Sequence, residues 1–300
     1  MAEIMQFKGV YTALITPFTA RGSVDEQAFA DFVEWQIEQG VHGLVPCGTT
    51  GESPTLSHEE HNRVIALCVE VARGRVPVIA GTGSNSTDEA IKTTQHAKKV
   101  GADGVLVVTP YYNKPQQEGL YQHFKAINDA VDIPIILYNV PSRSVVNLSD
   151  DTIARLAELP NIVGLKDATG DLARPYSLRA KLKSPQKTTF QLLSGEDMTA
   201  VAFNISGGQG VISVASNIIP KACAEVQEAC FAGNYTKAAE LQHKLTELNA
   251  VMFCETSPAP VKYAASLMGK CLPNLRLPLV PASENSQKEI RKVLNSLNIK

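Results

Sequence analysis

The chain has 300 residues, 44% hydrophobic and 19% charged, with a formal net charge of −2 and an isoelectric point near 6.3. Those values exclude a disordered chain and argue against nucleic acid or an anionic membrane as the main partner. Six cysteines (Cys47, Cys68, Cys223, Cys230, Cys254, Cys271) form no C-x-x-C pair, the opening MAEIMQFKGVY holds no signal-peptide core, and no apolar run nears the roughly 18 residues of a membrane span, so a soluble cytoplasmic protein with free thiols is expected.

In chain order, short apolar runs alternate with amphipathic stretches. Strands are predicted at Val10–Ile15, Gly43–Pro46, Val76–Ala80, Gly104–Val108, Pro134–Tyr138, Ile162–Lys166, Phe190–Leu193 and Gly210–Val214. Helical period marks Asp25–Gln39, His58–Arg73, Thr87–Lys99, Gln116–Ala130 and Asp150–Glu158, with less regular helices at Ala173–Lys183, Met198–Ile205 and Ala215–Ala232. Ser23-x-x-Glu26, Ser57-x-x-Glu60 and Ser86-x-x-Glu89 each fit a capping box.

Eight strand–helix alternations over about 230 residues predict an α/β fold, a (β/α)8 TIM barrel, with an open doubly wound sheet as the rival. The barrel is favoured by where unusual residues fall. Thr16, Gly48–Glu52, Thr82, Thr109–Tyr112, Tyr138 and Lys166 all lie at or just past C-terminal strand ends, which meet at one mouth in a barrel. After Gly233 only helical period remains, over Tyr235–Phe253 and Pro258–Met268. The division read here is a catalytic barrel, residues 1–233, and a C-terminal helical domain, residues 234–300.

Lys166 ends the apolar run in PNIVGLKDATG. Alternation puts Gly164 and Lys166 on one face and Val163 and Leu165 on the other. With Val163 and Leu165 against the helices, Lys166 faces the barrel interior. Burial favours a neutral amine, which can condense with a keto acid to a Schiff base. A surface lysine, or one paired with Asp167, is the alternative.

The loop CGTTGES (Cys47–Ser53) offers glycine-permitted backbone N–H groups and the Thr49 and Thr50 hydroxyls to a small anion, or is an ordinary strand-to-helix turn. It is no Walker loop, and Cys47 reads as a packed thiol. Tyr138, Tyr111 and Tyr112 lie near the same predicted mouth, as proton relays or as core. Arg143 is either a carboxylate clamp or a solvated loop residue. His58 and His61 in SHEEH have i, i+3 spacing and no evident third ligand, which disfavours zinc. The G-x-G of AGTGSNSTDEA lacks the third glycine of a dinucleotide fingerprint.

Taken together, GTTGE after the second strand, TPYYNKP after the fourth, YNVPSR after the fifth and GLKDATG at the sixth resemble the dihydrodipicolinate synthase family (the 4-hydroxy-tetrahydrodipicolinate synthases). That family lies within the Schiff-base aldolase and lyase superfamily that includes N-acetylneuraminate lyase. The likeness runs from GVYTALITPF to P-x-P-V-K. It implies that Lys166 condenses with pyruvate, that Thr49 and Thr50 hold its carboxylate, and that Tyr138 relays protons through Thr49 to a Tyr112 from a neighbouring subunit. Arg143 would hold the carboxylate of L-aspartate 4-semialdehyde, with Gly195 and Ile212 lining the site. The implied product is 4-hydroxy-tetrahydrodipicolinate, at the committed step toward diaminopimelate and lysine, made without metal or organic cofactor by a homotetramer. Lysine would bind as inhibitor at Ser53, Pro54, His58, His61, Asn85, Glu89 and Tyr111.

Three departures from the family pattern stand out: Pro54 in place of alanine, Ser144-Val145 where Thr-Gly is usual after the arginine, and a longer segment at Ser184–Thr189, read as a surface-loop insertion. Two rival functions remain: an N-acetylneuraminate lyase or keto-deoxy-sugar-acid aldolase, disfavoured by Arg143 and the Thr pair, and a keto-acid sensor without turnover.

Overall fold

The computed structural model describes residues 6–183 and 189–299. Eight strands, β1 (Gly9–Ala13), β2 (Gly43–Val45), β3 (Ile79–Gly81), β4 (Gly104–Val108), β5 (Ile135–Asn139), β6 (Ile162–Asp167), β7 (Gln191–Ser194) and β8 (Gly210–Ser213), pair in the order β2-β1-β8-β7-β6-β5-β4-β3, all parallel. A parallel bridge between Leu44 and Val78 joins the two ends of that order, so the sheet closes. Between the strands run α1 (Glu26–Glu38), α2 (His58–Ala72), α3 (Thr87–Lys99), α4 (Gln117–Ala130), α5 (Asp150–Leu156), α6 (Arg174–Lys181), α7 (Ala200–Ile205) and α8 (Pro220–Phe231). This is the expected (β/α)8 TIM barrel, and the open sheet is set aside by the closure. Four further helices follow: α9 (Tyr235–Lys244), α10 (Thr246–Val251), α11 (Ala259–Leu267) and α12 (Glu284–Ser296).

Period-two alternation sorts the strand side chains into two layers. Phe7, Tyr11, Val45, Ile79, Leu106, Ile136, Leu193 and Ile212 pack inside the barrel. Val10, Leu44, Val105, Val107, Leu137, Leu165, Leu192 and Val211 face outward, against Phe29, Phe32, Ile65, Leu120 and Phe124 of the helices. Each such large apolar side chain contributes about 1.5–3 kcal/mol on burial. Among the described residues, no helix is long and apolar enough to cross a membrane.

Several local expectations need correction. Asp25, not Ser23, caps α1, accepting from the Ala28 N–H. The box at Ser57 and Glu60 forms in full, but Glu89 turns its carboxylate to Ser84 Oγ and leaves Ser86 as a single cap. β3 starts at Ile79 because Pro77 has no N–H for the ladder. Ala215–Ala232 is a 3-10 turn (Ala215–Asn217) followed by α8, since Pro220 cannot continue a helix and takes its first turn instead. The stretch Tyr235–Phe253 breaks at Leu245 into α9 and α10. α12 was not anticipated, for it buries only Ile290, Val293 and Leu294 as apolar anchors. The Ser184–Thr189 insertion lies outside the described residues, apart from Thr189.

One correction bears on the mouth. Val163 packs inside the barrel while Leu165 faces the helices, so the two do not share a face. A register shift opposite Ile135 and Ile136 inserts one extra residue in β6, and this bulge resets the alternation. Lys166 still points inward, for a reason that simple alternation did not contain.

Candidate active site

Tyr138 and Lys166 are register partners on β5 and β6, which places both at the C-terminal mouth. Lys166 is 6% exposed, and its Nζ stands 4.2 Å from the Tyr138 ring centroid. Among the described residues it makes no ion pair. Asp167, the alternative partner, accepts instead from Thr169 Oγ1 (3.0 Å) and lies 3.9 Å from Arg174 Nε. Burial raises the Asp167 pKa, opposed by Arg174 and Thr169. On the other side Asp197 Oδ2 accepts from the Val214 and Ala215 N–H groups at 2.8 and 2.9 Å. Burial pushes its carboxyl up as well, while its hydrogen bonds and the charge of Lys166 pull it down.

The loop after β2 is a tight turn. Gly51 N–H donates to Gly48 O and Glu52 N–H to Thr49 O, each at 3.1 Å, and Thr16 Oγ1 donates to Gly51 O at 2.7 Å. Thr50 is buried, whereas half-buried Thr49 lines a cavity of about 220 Å³ together with Tyr111, Arg143 and Ser144. Cys47 lies beneath, buried, its Sγ 3.5 Å from His61 O, and burial drives its pKa well upward. It is the packed thiol the sequence suggested.

Arg143 sits on a helical turn, Pro141–Ser144, and is solvent-exposed between that cavity and a second of about 380 Å³. The second is lined by Tyr138, Arg143, Gly195, Asp197, Asn249 and Phe253, among others. Ser144 anchors the turn from below, accepting from Thr109 Oγ1 (3.2 Å), with Val140 O 3.1 Å from its own hydroxyl. Val145 caps the turn at φ 59°, left-handed, in the place where glycine is usual. Gly195 has no room for a side chain: a Cβ there would lie 2.6 Å from that of Ala168. Ile212 is buried in the barrel interior beneath the mouth. Tyr112 does not join its own chain's mouth. It is 90% exposed with φ 71°, so Tyr138 and Tyr111 line neighbouring cavities while Tyr112 projects outward.

Six of the seven positions assigned to lysine line one cavity of about 270 Å³ beside the mouth: Ser53, Pro54, His58, His61, Glu89 and Tyr111. Asn85 does not line it, but its Nδ2 donates to Tyr111 O at 3.2 Å. Burial, then the neighbouring His58 and His96, lowers the His61 pKa to about 4, and among the described residues its Nδ1 has no hydrogen-bond partner. Among the described residues no group of three His, Cys, Asp or Glu is arranged to hold a metal.

Sequence reasoning missed Asp197, Asn249 and Phe253. The last two come from α10 and the turn after it, where no motif marks them. It also missed Arg174, which is buried and reaches Asp150 (3.1 Å), Asn147 (3.0 Å) and Leu148 O, tying the end of β6 to the loop beyond Arg143.

The profile of the dihydrodipicolinate synthetase family matches residues 6–297. The 4-hydroxy-tetrahydrodipicolinate synthase of Rhodospirillum centenum is 60% identical over 288 residues, 96% of this chain and 97% of its own. The chloride-inhibited dihydrodipicolinate synthase of Acinetobacter baumannii, solved with pyruvate, superposes with a TM-score of 0.95 at 48% identity, covering 98% of this chain and all of that one. The enzyme of Cyanidioschyzon merolae, solved with lysine bound, gives 0.93 at 37% identity over 98% and 99%. On barrel, mouth and full-length likeness together, the chain belongs to the dihydrodipicolinate synthetase family of enzymes.

Proposed function

We propose that this chain condenses pyruvate with L-aspartate 4-semialdehyde, and that lysine inhibits it from the neighbouring cavity. The observation that carries the reading is the buried amine of Lys166 facing Tyr138 at the C-terminal end of the strands, free of any ion pair among the described residues. Lys166 Nζ attacks the ketone carbon of pyruvate, and water leaves as the imine forms. Thr49 and Thr50 hold the pyruvate carboxylate by hydroxyl and backbone N–H. Tyr138 passes protons through Thr49 to Tyr112 of a neighbouring subunit. Loss of a methyl proton gives the enamine, whose carbon attacks the semialdehyde while Arg143 holds that substrate's carboxylate. The substrate's amino group then displaces Lys166 from the imine carbon, closing the ring as 4-hydroxy-tetrahydrodipicolinate. The residues alone supply this chemistry, without metal or organic cofactor. The exposed Tyr112 supports an assembly in which sites are completed between copies, a dimer of dimers.

Incubation with pyruvate and borohydride, followed by peptide mapping, tests the reading. The expected result is a permanent adduct on Lys166, abolished in Lys166→Ala. Folded protein without an adduct, or with one on another lysine, overturns it. Coupled turnover with aspartate semialdehyde, set against sugar-acid cleavage, separates the synthase from the lyase branch.

A further inference from the structure

Glu52, two residues past Thr50, is held by contacts that the proposed reaction does not use. It is 1% exposed and adopts φ 55°, ψ 35°, a left-handed backbone that L side chains avoid. Such a conformation persists only where the surroundings over-determine it. Here both carboxylate oxygens are taken by residues more than 200 positions away. Oε1 accepts from Lys262 Nζ at 2.6 Å, and Oε2 from the Arg276 N–H at 3.1 Å. Lys262, on α11, is fully buried with its Nζ 4.0 Å from the Phe18 ring centroid. The Arg276 guanidinium stacks on the same ring at 4.5 Å and grips Glu60, Gly22 O and Thr55 O.

A buried ion pair is a weak source of stability, because desolvation offsets most of its attraction, and a well-packed apolar pair of similar volume often does as well. What the pair adds is geometry. The Glu52 N–H that donates to Thr49 O is the closing bond of the Gly48–Glu52 turn, so fixing Glu52 fixes where the Thr49 and Thr50 groups point. Burial lowers the Lys262 pKa, and the Glu52 carboxylate works against that.

We propose that Glu52 and Lys262 are positioning residues for the pyruvate carboxylate, holding the Thr49–Thr50 turn in its binding geometry from the C-terminal helices. The proposal rests on the reading of Lys166 and the threonine pair as the pyruvate site. Wild-type protein that fails to trap pyruvate would sink that reading; the variants below address the lock alone.

The test uses Glu52→Gln, which keeps the shape but cannot accept at both ends, and the double variant Glu52→Met with Lys262→Met, which removes the pair without stranding a charge. The double variant is expected to stay folded, with pyruvate KM raised roughly tenfold, because small misplacements of binding groups carry costs of that size or more. In the same variant kcat and the KM for aspartate semialdehyde stay within about threefold. Glu52→Gln should shift pyruvate KM in the same direction by less, and slow borohydride trapping at subsaturating pyruvate by the same factor. A pyruvate KM within twofold of wild type in either folded variant overturns the proposal. So does a loss spread equally over both substrates, which marks a merely structural role. If the double variant does not fold, the Glu52→Gln result decides.

Discussion

Val145 is the clearest point at which this chain bears a local cost. It closes the Pro141–Ser144 turn at φ 59°, ψ 11°, donating its N–H to Pro141 O at 3.0 Å. A left-handed L residue costs about 1–2 kcal/mol, and β-branching adds to it. Glycine removes that cost but gives back about 0.5–1 kcal/mol in unfolded-state entropy. Val145 is 67% exposed, so little burial is lost with its side chain. Val145→Gly should therefore stabilise by about 0.5–1 kcal/mol, which for a chain of this size is a Tm rise of roughly 1–3 °C. Val145→Asn, which tolerates the same backbone, should gain part of it, and Val145→Ala less than glycine. Scanning calorimetry at matched scan rate and protein concentration reads the shift. Because the turn already adopts the glycine-like geometry, the KM for aspartate semialdehyde should change by less than about threefold. A Tm that falls or does not move in Val145→Gly would refute the strain argument.

Arg143→Ala should still form the pyruvate adduct yet lose about 100-fold in kcat/KM for aspartate semialdehyde, the worth of a charge-assisted contact of about 2–3 kcal/mol; normal turnover would remove its assigned role. Mixing two inactive variants, Lys166→Ala and Tyr112→Phe, under conditions that exchange subunits should restore activity, since a mixed pair holds one site with both residues; no recovery would place Tyr112 elsewhere. Stability should fall as pH drops from about 6.5 toward 5. His61 and His123 are held neutral, chiefly by burial, with pKa values of about 4. Unfolded histidines bind protons near pH 6.5, so in that window the unfolded state takes up more, costing up to about 1.4 kcal/mol per pH unit for each histidine. Urea unfolding at pH 7 and pH 5 measures this, and His123→Gln should reduce the slope.

Much of the barrel was legible because its signals are local. Apolar runs closed by glycine or proline mark strands, and Ser57 with Glu60 marks the start of α2. The failures come from interactions that sequence does not display. Asp25 displaced Ser23 as a cap because both are good caps two residues apart. The Val163 bulge answers to the neighbouring strand. α12 carries too few apolar residues to stand out. At the mouth, Lys166, Tyr138 and Thr49 stood at strand ends and could be found. Arg174, Asn249 and Phe253 act across the fold, and only the packing of distant elements brings them there.

The barrel is thinly stitched between β2 and β3. Each strand has three residues, and one bridge joins them, with Leu44 N–H donating to Pro77 O at 3.0 Å and Gly81 N–H to Pro46 O at 2.9 Å, while the two prolines have no N–H to return. The loops that leave this seam carry Thr49 and Thr50 on one side and Thr82 and Gly83 on the other. The histidine-bearing cavity straddles it, with Ser53 and Pro54 facing Thr82 and Gly83. A molecule seated there would act as a clasp across this thin join of the ring, so its arrival should register as slowed amide exchange at Leu44 and Gly81.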